Sequence, residues 1–157
     1  MFMVSQLNGH GAFPAPTQIT IDAPDGSAGL NGYTMISRDA AVLNGVTVNS
    51  IGMYSLFAGS IVLKLCKRNS ANNYDIVVSQ TISHGGTGFE DLILSAGFPV
   101  PGTGTYYLGA YQALGVSNNV KTSMDRAYVT ANITGNGQTT TGEDSGGQGY
   151  PLRYTYL

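Results

Sequence analysis

The chain has 157 residues, 10% of them charged and 42% hydrophobic, with a formal net charge of −2. That is enough chain for one domain with a real core, and too apolar for a disordered tail, which stays unfolded through high net charge and few apolar residues. The basic residues cluster only at Lys64, Lys67 and Arg68, which excludes nucleic acid as the expected partner, because phosphate contacts take a stripe of Lys and Arg.

Residues 1–16 contain Asn8-Gly9, Gly11, Pro14 and Pro16 and keep no period, so they are expected as an extended arm before a domain over 17–157. The start lacks a basic, signal-length apolar segment, and no run approaches the roughly 18 apolar residues of a membrane span. Synthesis in a cytoplasm without membrane insertion is the expectation. Thr17–Ile21 alternates as a strand, and Asp22–Gly29 is a loop. Strands follow at Tyr33–Ser37, Val46–Tyr54 and Ile61–Arg68. In the last of these, Ile61, Leu63 and Leu65 share one face, with Val62, Lys64 and Cys66 on the other. Asn69–Asn73 reads as a hairpin loop of turn-forming residues. Tyr74–Thr81 returns, with Tyr74, Ile76 and Val78 placed on one face. The Gly-rich loop Ser83–Gly88 precedes a strand at Phe89–Leu94. The prolines and glycines of Phe98–Gly104 turn into Tyr106–Tyr111, where Tyr106, Leu108 and Ala110 alternate with Tyr107, Gly109 and Tyr111. Gln112–Asp125 reads as a connection, with room for one helical turn within Ala113–Arg126. Ala127–Ile133 and Leu152–Leu157 complete the strands, and Thr134–Gly149 is a long polar loop, either functional or mobile. Eight or nine short strands between turn signals predict an all-β, single-domain β-sandwich of jelly-roll type.

Chemistry is sparse. Gly142-Glu-Asp-Ser-Gly-Gly147 is similar to the nucleophile segment of trypsin-like proteases. A protease needs a base His and an orienting Asp, and neither His10 nor His84 has such a context. The segment is read as turn residues, and no enzymatic activity is expected. Cys66 is the single cysteine, so no intrachain disulfide forms, and its mid-strand place marks a structural thiol. Adjacent carboxylates at Glu90 and Asp91 point to opposite faces of a strand and cannot form a glycosidase pair. Acidic residues recur in loops at Asp22 and Asp25, Glu90 and Asp91, and Glu143 and Asp144. Oxygen-rich loops suit Ca²⁺, so Asp22 and Asp25 are candidates for a structural calcium, with no other cofactor expected. Ten tyrosines remain. Tyr suits both sugar faces and protein interfaces, and Tyr107 and Tyr111, with His84 and Glu143 on nearby loops, form the candidate glycan site. Asn132-Ile-Thr134 is a glycosylation sequon, expected to be idle without secretion.

The segments Ile51-Gly-Met-Tyr54, Gly59–Leu65, Thr87-Gly-Phe89 and Val100–Tyr111 together resemble a β-sandwich domain of bacteriophage virion proteins and of carbohydrate-binding-module-like regions of tail proteins. That resemblance implies a module displayed on a phage particle: a head decoration, head fibre or tail-fibre module, carried by capsid or tail proteins. It also implies closed homo-oligomers, with a trimer favoured, and contact with a host surface glycan. A stand-alone carbohydrate-binding module is the alternative. Carbohydrate modules often present Trp, and this chain has none.

Overall fold

Strand β5 (Gly59–Ser70) explains the architecture. Ile61, Leu63 and Leu65 are fully buried on one of its faces, and Lys64 and Cys66 are fully buried on the other. Successive side chains of a strand point to opposite faces, so a strand buried on both sides must lie between two layers. In the computed structural model, which describes residues 17–19, 26–28, 32–55, 58–86, 88–113 and 118–157, those layers are a second sheet on one side and a crossing strap of chain on the other.

The protein is an all-β sandwich of two antiparallel sheets. The smaller sheet has four strands in the order β1 (Thr17–Ile19), β12 (Arg153–Tyr156), β4 (Thr47–Ser55), β7 (Gly88–Pro99). The larger, a curled half-barrel, runs β10 (Gln138–Thr139), β6 (Asn73–His84), β5, β8 (Tyr106–Gln112), β3 (Thr34–Val42), β9 (Asn118–Val129), β11 (Gly142–Gly149), and β2 (Gly26–Ala28) pairs with the start of β9. Val48, Ile51 and Met53 of β4 and Leu92, Leu94 and Phe98 of β7 pack on Met35, Ile61, Leu63, Leu65, Tyr106 and Leu108 of the larger sheet. Each such burial contributes about 1.5–3 kcal/mol.

A second core of Ile36, Cys66, Tyr74, Ile76, Ala127 and Ile133 lies on the far face of the larger sheet. Residues 130–141 cover it, crossing the strands in order. Thr34 Oγ1 donates to Ala131 O at 2.6 Å, and Lys64 Nζ donates to Asn132 Oδ1 at 2.7 Å and Ile133 O at 2.8 Å. Ile76 N–H then donates to Gly135 O at 2.8 Å and Gly137 N–H to Asp75 Oδ1 at 2.7 Å. β10 pairs with β6 at one edge of the sheet, and β11 pairs with β9 at the other. Between them, Thr140 N–H donates to Asn72 O and Thr141 N–H to Tyr128 O. Two adjacent residues thus bridge the two edges, which closes this end of the half-barrel.

Several expectations are corrected. Tyr74, Ile76 and Val78 do not share a face: Ile76 opposes Cys66 but Val78 opposes Leu65, so Val77 is an extra residue in β6. This bulge turns Val78 to the inter-sheet core, while Tyr74 and Ile76 stay in the second core; a one-residue slip reverses every later side chain. Thr134–Gly149 is not a loop but carries β10 and β11, a polar edge strand whose side chains need no core. Gln112–Asp125 holds no helical turn among its described residues, because β9 begins at Asn118. The hairpin loop shrinks to Ala71-Asn72, with Asn72 in the left-handed region (φ 56°), which Asn tolerates. Residues 1–16, Asp22 and Asp25 lie outside the described residues, so the arm and the calcium loop belong to the sequence reading alone.

Candidate functional site

His84 closes β6 at the rim of the sandwich, and the crossover to β7 folds around it. Its side chain is 2% exposed, directed between the sheets. Gly86 N–H donates to Nδ1 at 3.2 Å. In the neutral ring that fixes the proton on Nε2, which donates to Met53 O at 3.3 Å. Glu90, two residues into β7's first turn of alternation, places Oε2 3.4 Å from Nδ1 and accepts Gly85 N–H at 2.7 Å. Gly86 and Gly88 adopt φ of 148° and 127°, a left-handed backbone that favours glycine. The result is an open hollow of about 380 Å³ lined by His84, Gly85, Gly86, Gly88, Phe89 and Glu90. It offers one carboxylate, backbone polar groups and the partly exposed ring of Phe89.

Beside it, three strands of the small sheet build an outward-facing stack. Arg153 of β12 and Asp91 of β7 flank Gly52 of β4 in register. The guanidinium reaches over that glycine to make two bonds with Asp91, at 2.8 and 2.6 Å, and lies 3.6 Å from the Phe89 ring centroid. A Cβ at Gly52 would stand 2.6 Å from each of Arg153, Asp91 and Phe89, so the absence of a side chain there is what lets the pair meet.

Glu143 sits elsewhere, on β11 at the closed end of the half-barrel. Arg68 grips its carboxylate with two bonds, at 3.0 and 2.8 Å, and the Tyr74 hydroxyl donates at 2.5 Å. Arg38 approaches at 3.2 Å and also meets Asp125 at 3.4 Å. The Arg68 bonds, aided by Tyr74 and a backbone N–H at Asn72, hold the Glu143 carboxyl at about 2, against the desolvation that would raise it. Burial, followed by the bond to Glu143, pushes the Tyr74 hydroxyl upward. This carboxylate is a structural clamp between β11, β5, β6 and β3.

The four expected glycan residues are therefore not assembled together. Tyr74 and His84 stand at opposite ends of β6, roughly 33 Å apart along an extended strand, and Glu143 is bound to the first. Tyr107 packs against the second core, and Tyr111, half-buried and four residues on, shares its face of β8. His84 points the other way, toward the space between the sheets. Glu90, Phe89 and Arg153 were missed as companions of His84. A signal was available for one of them: Gly85, Gly86 and Gly88 mark a loop directly after His84, and Glu90 follows just where β7 begins. Of the other acidic residues weighed for calcium, Asp91 meets Arg153, Glu143 meets Arg68, Asp144 meets Arg126, and Glu90 meets His84 and Gly85 N–H. Among the described residues no group of three or more His, Cys, Asp or Glu is placed to hold a metal ion. Comparison with family models, curated proteins and solved structures gives no match to the chain.

Proposed function

We propose that the chain is a non-enzymatic β-sandwich module of a bacteriophage virion surface, made in the host cytoplasm, that contacts host glycan through the hollow at His84. The hollow is the observation that carries this reading. A carboxylate, backbone polar groups and a partly exposed ring converge on about 380 Å³, and sugars are held by polar groups that fix hydroxyls beside an apolar surface. Display on a particle, with other virion proteins as partners, follows from the sequence resemblance. Tyr107 and Tyr111 are then packing residues of β8.

A glycan array with the wild type, Glu90→Gln, Phe89→Ala and Tyr107→Ala tests the site, with light scattering for assembly. The reading expects a signal lost in the first two variants and kept in the third, from a stable trimer or larger assembly. Loss only in Tyr107→Ala would move the site to the tyrosine face. A clean monomer with the same signal would favour the stand-alone carbohydrate-binding module.

A further inference from the structure

The strap that covers the second core contains Asn136-Gly137, one of four Asn-Gly pairs in the chain. Asn136 is exposed, and Gly137 adopts φ of 66°. Asn-Gly is the dipeptide most prone to spontaneous deamidation, because glycine leaves the following nitrogen unshielded. The Gly137 nitrogen attacks Asn136 Cγ and a new N–Cγ bond forms. The Cγ–Nδ2 bond breaks, and Nδ2 leaves as ammonia with the proton that the Gly137 nitrogen gives up. One solvent water then opens the succinimide to aspartate or isoaspartate. In this fold the nitrogen that must attack is held: Gly137 N–H donates to Asp75 Oδ1 at 2.7 Å. We infer that Asn136 is a latent deamidation site of the strap and that Asp75 is the residue that guards it.

The neighbouring geometry supports both halves of this inference. The Asp75 carboxyl is held below its usual value, first by the Gly137 N–H and then by Asn69, which makes it a poor base and a firm acceptor. The strap is pinned on both sides of the susceptible bond, by Ile76 N–H on Gly135 O and by the pairing of Gln138 with Tyr74. Isoaspartate adds one carbon to the backbone between those pins, and either product adds a negative charge close to Asp75. The pins must then yield. They belong to the same strap whose Asn132 and Ile133 receive the buried Lys64 ammonium, so reaction at Asn136 loosens the cover of the second core. Asn44-Gly45 is an internal reference. There the side chain donates to Gly104 O at 3.0 Å and Gly45 N–H to the backbone oxygen of Val100 at 3.0 Å, so both reacting groups are occupied.

The test is ageing of the full chain at mildly alkaline pH, with the amide-to-acid mass gain and isoaspartate located by fragmentation of the tryptic peptide 127–153. Asp75→Ala should react at Asn136 several-fold faster than the wild type. Asp75→Asn, which keeps an acceptor oxygen, should stay close to the wild-type rate, Asn136→Gln should not react there, and Asn44 should lag in every folded sample. Equal or slower reaction in a folded Asp75→Ala overturns the guarding role. Should that variant fail to fold, the wild type alone decides: reaction at Asn136 as fast in native buffer as in urea overturns the inference, and several-fold slower reaction in native buffer supports it.

Discussion

Replacing Glu143 with Gln keeps the shape of the side chain and removes the charge that joins β11 to the rest of the larger sheet. Arg68 then loses its two-pronged partner, and Arg38 and Arg68 face each other across a neutral amide. The carboxyl moves from an ordinary 4.5 to about 2 on folding, which by linkage corresponds to about 3 kcal/mol as an upper figure. Arg68 is 31% exposed, so solvent screening reduces the expected loss to about 2 kcal/mol. For a chain of this size that is a fall of roughly 4–8 °C in Tm. The sign of the pH dependence follows from the depressed folded value. The stabilisation is fully present above about 4.5 and is lost as pH falls toward about 2. Calorimetry or urea unfolding of wild type and Glu143→Gln at pH 7, 4.5 and 2.5 should show a gap that narrows on acidification. A gap of under about 0.5 kcal/mol at neutral pH, or one unchanged at pH 2.5, would refute the clamp.

Gly52→Ala should cost about 1–3 kcal/mol, since its Cβ meets three side chains at 2.6 Å and the Arg153–Asp91 pair must shift; urea unfolding reads the loss, and an unchanged midpoint would contradict the close approach. Cys66, whose thiol is pushed up to about 12 by burial, should resist a thiol reagent at pH 8 in the native protein and react fully in denaturant. Leu92→Ala should destabilise by about 2–4 kcal/mol and Ile93→Thr by under about 0.5 kcal/mol, because Leu92 is 2% exposed and Ile93 78%. Similar losses at both positions would mean that the register of β7 is wrong.

Alternation made much of the fold legible. The two faces of Ile61–Cys66 and of Tyr106–Tyr111 follow from a period of two, and both segments sit between layers as that period requires. The face of Val78 was not legible, because one extra residue at Val77 leaves no mark in a run of β-branched side chains. β11 was hidden for another reason. Gly142–Gly149 carries no apolar residue, and a strand held by backbone pairing and by Arg68 and Arg126 needs none. The candidate site was half legible: His84 stood out among glycines, whereas Glu143 looked like a binding residue because its arginine partners lie 75 and 105 positions away in sequence. Pairing at that distance is a property of the sheet order and leaves no local trace.

The strap also sets a schedule for folding. The β5–β6 hairpin closes across two residues, so it can form within microseconds, as hairpins do. The second core can be sealed only after β9 has docked on β3, residues 130–137 have crossed the sheet, and Thr140 and Thr141 have reached both of its edges. Each of these steps joins distant parts of the chain, which places this protein among the slow, high-contact-order folders. A chain that closed its strap last would pass through a state with the inter-sheet core built and Ile36, Cys66 and Ile76 still facing water. In that state the one cysteine is open to reagent, so pulsed thiol labelling during refolding would time the closing of the strap.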